Sequence, residues 1–222
     1  MPKSTLPVIK TYISAIFKTD KFYGPASYSQ NGEDLILNKI FTKQNGHYVD
    51  VGAHHPFRYS NTYLLYKNGW SGINIEPTPG SKQLFDTLRK RDINLEIAIG
   101  KKATKKFYMF WDSALNTFSK KRADKVMASK QSKLKKLALV KIIPLNILLN
   151  KYTQKYCIDL LNVDTEGMEM EILKTNNWNK YSPKIIAIEH LGQENIINNY
   201  LNGRGYNLIN KTKLTSIYQL DD

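Results

Sequence analysis

The chain has 222 residues, 41% of them hydrophobic, which is enough for one well-buried core with a short extension and too little for several large domains. Its 33 Lys and Arg against 19 Asp and Glu leave a formal charge of +14, a balance that fits acidic partners or plain solubility and carries no information about fold. The single cysteine, Cys157, excludes an intrachain disulfide and cysteine-rich zinc sites, and suits a reducing, cytoplasmic setting. No histidine is legibly paired with it, so it reads as a packed thiol rather than a nucleophile. The segment MPKSTLPVIKTYISAIF is broken by Lys10 and Ser14 and lacks a signal-peptide core. The longest apolar stretch, Leu137 to Leu149, is interrupted by Lys141, Pro144 and Asn146 and is too short to span a bilayer, so a soluble protein is expected.

After an N-terminal arm over 1–26, Asn31 is placed to cap a helix that carries Glu33 and Asp34 in its first turn and Leu37, Ile40 and Phe41 on one face, running to about Lys43. Strand His47 to Gly52 follows, then a helix from Ser60 or Asn61 to about Gly69, strand Gly72 to Glu76, a helix from Gly80 to Lys90, and strand Asn94 to Ile99. This alternation predicts an α/β fold with a mostly parallel sheet, covered by helices on both faces. Residues 101–143 depart from it as a very basic insertion. Lys105 to Trp111 reads as an extra strand, and Lys120 to Leu137 as a basic helix with Ala123, Val126, Met127, Leu134 and Leu137 as its apolar stripe. The insertion is expected to flank the site. The alternation then resumes with strand Ile158 to Asp164, a helix from Met168 to Thr175, strand Lys184 to His190, and a helix from Gln193 to Leu201. Two closing strands, Tyr206 to Ile209 and Leu214 to Gln219, complete a seven-stranded sheet.

The segment HYVDVGAHHPF, His47 to Phe57, ends an apolar β-branched run in an acid, a glycine and a small residue. Asp50 has no reason to sit in a buried strand unless something polar meets it, and Gly52 allows close approach to the backbone. GINIEP, Gly72 to Pro77, repeats the pattern with Glu76 at its end, where an open α/β sheet holds the hydroxyls of a ribose. Asp50 with Gly52, Glu76, Ala98 with Gly100, Asp164 with Glu166, and Glu189 with His190 thus gather at the carboxyl ends of five expected strands, the ligand-binding edge of such a sheet. A nicotinamide dinucleotide needs a glycine-rich turn that admits a pyrophosphate. Here His54, His55 and Pro56 obstruct it, so a phosphate-free adenosyl cofactor, S-adenosylmethionine, fits better. Asp50 is placed to accept from its ammonium directly or through water, Glu76 from its ribose, and the backbone near Ala98 to meet the adenine edge.

The chain resembles the FkbM family of S-adenosylmethionine-dependent methyltransferases. The resemblance rests on SYSQNGEDLIL (Ser27 to Leu37), YVDVGAHHP (Tyr48 to Pro56), SNTYLLYKNGWSGINIEP (Ser60 to Pro77), LLNVDTEGMEMEIL (Leu160 to Leu173) and IAIEH (Ile186 to His190). It implies a Rossmann-like class I methyltransferase fold and transfer to a hydroxyl oxygen of a sugar or glycan-type acceptor. It further implies that Asp50, Gly52 and Ala53 line the methionine part of the cofactor and Glu76 with Pro77 its ribose, and that Gln30, Ser60 and Asn61 complete the pocket. Capping of the following helix by Ser60 and Asn61 is compatible with that role.

A sugar hydroxyl is a poor nucleophile until its proton leaves. His190 is the candidate base and His54 its competitor, with Asp164 available to hold the acceptor hydroxyl, whereas His55 reads as a hydrogen-bonded structural residue. A magnesium or manganese ion held by Asp164, Glu189 and His190 is the other way to acidify that hydroxyl. Glu166 suits a helix start, while Glu169 and Glu171 read as solvent-facing. Asn116, Thr117 and Trp111 are placed near an acceptor. The rival class is a nucleic-acid-binding or RNA-modifying protein using the basic surface. Against it, the chain shows no recognisable binding module, and the acid-rich site edge repels phosphate.

Overall fold

The computed structural model describes residues 27–154 and 156–221, so the arm over 1–26 lies outside the described residues. In chain order the elements are α1 (Glu33–Ile40), β1 (His47–Val51), α2 (Tyr63–Lys67), β2 (Ser71–Ile75), α3 (Ser81–Leu88), β3 (Ile93–Leu95), β4 (Ala98–Ile99) and β5 (Ala103–Phe110). There follow a 3-10 turn at Ser113–Leu115, α4 (Lys120–Ala128), β6 (Leu134–Ile143), α5 (Leu145–Tyr152), β7 (Leu160–Val163), α6 (Glu169–Leu173), β8 (Ile185–Glu189), α7 (Glu194–Asn202), β9 (Tyr206–Lys211) and β10 (Thr215–Leu220).

The main sheet has seven strands in the order β3-β2-β1-β7-β8-β10-β9. β3, β2, β1, β7 and β8 are parallel, and β10 runs antiparallel to both neighbours. The chain works outward from β1 in one direction and then returns to its other side, so β1 lies at the reversal of strand order where open α/β sheets bind ligands. Asp50 pairs with Asn74 on one side and Asn162 on the other.

Strand alternation divides the core between the two faces of this sheet. Val49, Val51, Ile73, Ile75, Leu161, Val163, Ile186 and Ile188 pack with Leu145, Leu148 and Leu149 of α5, Ile172 and Leu173 of α6, and Ile197 and Leu201 of α7. Tyr48, Leu160, Ile185, Ala187 and Ile217 pack with Leu37 of α1 and Leu65 of α2 on the other face. On this second face the residues nearer the carboxyl ends, Asp50, Asn74, Asn162 and Glu189, are all polar and buried.

Four elements differ from the sequence expectation. The run Asn94 to Ile99 is two strands. β3 ends at Leu95, and Ala98–Ile99 leaves to pair with Ile142–Ile143 in a second sheet of order β4-β6-β5. The expected helix Lys120 to Leu137 stops at Ala128, and the chain turns through Lys130 (φ 55) into β6. Leu134 and Leu137 match a helical spacing, but β5 offers them an antiparallel partner, and tertiary pairing overrides a weak local preference. Helix α5, placed only as part of an interrupted apolar stretch, begins after Pro144 and buries Leu145, Leu148 and Leu149 at the i, i+3, i+4 spacing of one face. α1 begins after Gly32 (φ 82) rather than at Asn31.

Candidate active site

The carboxyl ends of β1, β2 and β7 open on a cavity, the concave kind of site that takes small molecules. Gly52, Glu76, Pro77, Ala98 and Asp164 line it from the strand ends, and Gln30 from the segment before α1. The insertion forms the opposing wall with Phe107, Ser113, Asn116 and Phe118. A smaller neighbouring cavity is lined by Gln30, Asn61, Asp164, Glu189 and Thr215, so Gln30 and Asp164 belong to both.

Gly52 takes φ +84, and a Cβ there would stand 1.7 Å from the Asp164 carbonyl oxygen, so only glycine lets β1 and the β7 loop approach this closely. Its N–H donates to Ile75 O (2.9 Å), which ties the turn to β2. Glu76 follows β2 directly and is buried in the cavity wall, its Oε2 accepting from His54 N–H (2.9 Å) and its Oε1 from Thr78 N–H (2.9 Å). Burial raises its carboxyl, and those hydrogen bonds lower it in opposition. His54 sits in the left-handed region (φ 52), with Nε2 3.0 Å from Ser113 Oγ and Nδ1 buried without a partner. Burial, then the Arg58 charge, push its imidazole down to about 4.

Beyond β7 the chain turns sharply through Glu166 (φ 57) and Gly167 (φ 111), and this turn carries Glu166 back toward the strand ends. One carboxylate oxygen from each of Asp164, Glu166 and Glu189 lies within 4.8 Å of the other two. Burial, followed by the charges of Glu166, Glu169 and Asp50, holds Asp164 well above the usual carboxylate range. Burial likewise lifts Glu166 to about 7 against the pull of Arg122, its ion-pair partner from α4, and lifts Glu189 further with the help of Asp164.

The chain matches the methyltransferase FkbM domain over residues 50–208. It belongs to the FkbM methyltransferase family. Among solved structures, a methyltransferase from Geobacter sulfurreducens is similar at 12% identity with a TM-score of 0.42, the match covering 100% of this chain and 91% of that one. No curated protein matches the chain.

Several residues expected in the pocket of this FkbM chain stand elsewhere. Asp50 faces the α1 and α2 side of the sheet, where Thr62 Oγ1 donates to its Oδ2 (2.6 Å) and Asn162 Nδ2 to its Oδ1 (2.8 Å), so it lines neither cavity. Ala53 and Ser60 line neither as well. Ser60 Oγ accepts from Tyr63 N–H (3.1 Å), the first residue of α2, and stands 3.4 Å from Thr62 Oγ1. Asn61 Nδ2 donates to Asn162 Oδ1 (3.1 Å) and reaches only the smaller cavity. His190 is absent from both walls and from the acidic cluster, its Nε2 buried without a partner. Successive strand residues point to opposite faces, so the residue after Glu189 is carried away from the acids Glu189 meets. Trp111 is 70% exposed and outside the cavity, with Lys135 Nζ 5.1 Å from its ring. Asn116 is in the wall, donating to Thr78 Oγ1 (3.1 Å), and Thr117 Oγ1 donates to Glu166 O (2.8 Å).

Two residues of the FkbM chain went unread in the sequence or were read wrongly. Arg89 is fully buried and donates to Asp92 Oδ2 (2.9 Å), Pro56 O (2.8 Å), Tyr48 OH (2.7 Å) and Thr62 Oγ1 (3.0 Å), the last being the hydroxyl that holds Asp50. Nothing in a lysine- and arginine-rich helix end distinguishes this arginine locally. Glu169, expected in solvent, is buried, and its Oε1 accepts from Thr165 N–H, Thr165 Oγ1 and Gly167 N–H, each at 3.0 Å. An acid three residues after Glu166 in DTEG is a loop clamp, and its spacing was the available signal. Glu171 pairs with Lys105. His55 Nδ1 accepts from Arg58 N–H (3.1 Å) and is pushed down to about 3, first by burial, a structural role.

Proposed function

We propose that the protein is an S-adenosylmethionine-dependent O-methyltransferase of Rossmann-like class I architecture, acting on a hydroxyl of a sugar or glycan-type acceptor. The supporting observation is Glu76. It is a buried carboxylate in the cavity wall, each of its oxygens taking one backbone N–H, and a carboxylate has about four lone-pair sites, so both oxygens keep capacity for the paired hydroxyls of a ribose. Apolar Ile75, Ile97, Ile99 and Phe118 offer the flat base a slot beside it. The bulky His54 after Gly52 argues against a pyrophosphate there. The strand order, with β10 antiparallel, supports the class I reading.

The cofactor supplies an electrophilic methyl carbon, so the protein's part is to orient the acceptor, exclude water and take a proton. Gln30, Gly52, Pro77 and Ala98 shape the pocket around the donor. Asp50 and Asn61 fix the strand ends behind it through Asn162, and Ala53 through its N–H on Ile75 O (3.1 Å). Asp164, whose carboxyl lies in the same wall, holds the acceptor hydroxyl. His54, neutral at pH 7 and a weak base at about 4, orients the acceptor. The reading takes 27–222 as the methyltransferase domain, 101–143 as its flanking insertion, 1–26 as an arm, and a cytoplasmic setting. No helix among the described residues is long and apolar enough to cross a membrane.

Labelled methyl transfer from S-adenosylmethionine to a panel of glycans and to RNA tests this reading. Incorporation into hydroxyl-bearing sugars is expected. Label on RNA alone, or NAD binding with no methyl-donor binding, overturns it.

A further inference from the structure

We propose that Asp164, Glu166 and Glu189 form a site for one divalent cation of the oxygen-preferring class, magnesium or manganese, in the partition between the two cavities. Asp164 and Glu166 line the larger cavity, and Asp164 and Glu189 the smaller. Their three oxygens lie within 4.8 Å of one another. Magnesium binds oxygens at ~2.0–2.1 Å, which sets adjacent ligands roughly 3 Å and opposite ligands roughly 4 Å apart, so small side-chain rotations close the set. The decisive observation is Glu189. It is only 4% exposed, and its Oε2 is buried with no hydrogen-bond partner. A buried carboxylate oxygen left unmatched beside two other acids is costly unless a cation or a shared proton meets it.

The donor set is all carboxylate, with neither sulfur nor imidazole, which favours magnesium or manganese over zinc. The sequence pointed to His190 as the third ligand. Glu166 takes that place because the turn at Glu166 and Gly167 folds its side chain back over the strand ends. Arg122 pairs with Glu166 in this structure, so a bound cation and the Arg122 guanidinium compete for that carboxylate, which links the cation to the position of α4. A cation here stands next to Asp164 in the acceptor end of the cavity, where it lowers the pKa of a coordinated hydroxyl.

Binding of the cation is read without any methyl donor. The full chain is stripped with EDTA, freed of chelator and titrated with Mn²⁺, following the free-ion electron paramagnetic resonance signal for the natural sequence, Glu189→Gln and Glu166→Gln. One equivalent bound by the natural sequence is expected, displaced by Mg²⁺, with affinity weaker by at least about tenfold in each variant whose circular dichroism shows it folded. Should Glu189→Gln not fold, Glu166→Gln gives the same reading. No Mn²⁺ uptake at millimolar ion, or equal affinity in a folded variant, overturns the proposal and leaves a proton shared between Asp164 and Glu189. Calorimetry of S-adenosylmethionine binding in EDTA separates the two readings, since donor affinity survives there if only the cation site is wrong.

Discussion

Asp50 and Glu189 both lie toward the carboxyl ends of parallel strands, on the same face of one sheet, and both are buried. Asp50 has donors on both oxygens, and behind them Arg89 joins Thr62, Tyr48, Asp92 and Pro56 into one closed network. Glu189 has an oxygen with no donor and two acids for neighbours. The β1 side therefore uses its acid to build the fold, because a fully satisfied buried network locks strand ends in place. The β7 and β8 side leaves a buried Glu189 oxygen without a donor where its acids meet a cavity, an arrangement that stability alone does not explain.

The contrast breaks most directly on Arg89. Arg89→Ala removes five hydrogen bonds and leaves the buried Asp92 carboxylate without its counter-ion, so urea unfolding should show a loss of about 3–5 kcal/mol. Glu189→Gln in EDTA, which puts a neutral amide of the same shape in place of one of the three crowded carboxyl groups, should leave stability unchanged or raised. An equal loss in both variants would erase the difference between the two sides.

Glu76→Ala comes next in size. It deletes a charged hydrogen-bond acceptor for the ribose, worth about 1.5–3 kcal/mol, so calorimetry should show donor affinity weakened by roughly 10–100-fold with the fold retained. Acid titration then separates the sides by sign. The unfolded chain protonates histidine near ~6.5, whereas His54 stays neutral down to about 4, so its contribution is lost as pH falls through that window. Glu166 protonates at about 7 when folded but near ~4.3 when unfolded, so its contribution grows as pH falls from 7 and is lost as pH rises toward it. Each gives a slope of at most about 1.4 kcal/mol per pH unit. Unfolding midpoints between pH 5 and 6.5 should change slope in opposite directions in His54→Gln and Glu166→Gln, and a shared direction would sink the assignment. The smallest effect belongs to Trp111→Ala. That side chain is exposed and off the cavity, so stability should change by less than about 0.5 kcal/mol and donor affinity not at all.

The strands of the main sheet were legible because Val, Ile and Leu runs closed by acids and glycines leave one reading of their period and ends. The crevice was legible for the same reason: Gly52, Glu76, Ala98 and Asp164 all reach its wall. What was hidden depends on partners far away in the chain. Asp50 looked like Glu76 in sequence, and only the pairing of β1 with β7, which brings Asn162 beside it, shows that its oxygens are taken. Leu134 and Leu137 looked helical until β5 supplied a strand to pair with. Glu166 was read at the end of the fourth strand, but its place beside Glu189 was hidden, because a left-handed turn at a residue with a Cβ is not written in local preference.

The central claim is that the strand ends and the insertion enclose an adenosyl cofactor with Glu76 at its ribose. A crystal structure with S-adenosylhomocysteine tests it most directly. The account predicts both ribose hydroxyls within hydrogen-bond distance of the Glu76 carboxylate and the base among Ile97, Ile99 and Phe118. A nucleoside bound elsewhere, or one whose ribose leaves Glu76 untouched, would contradict it.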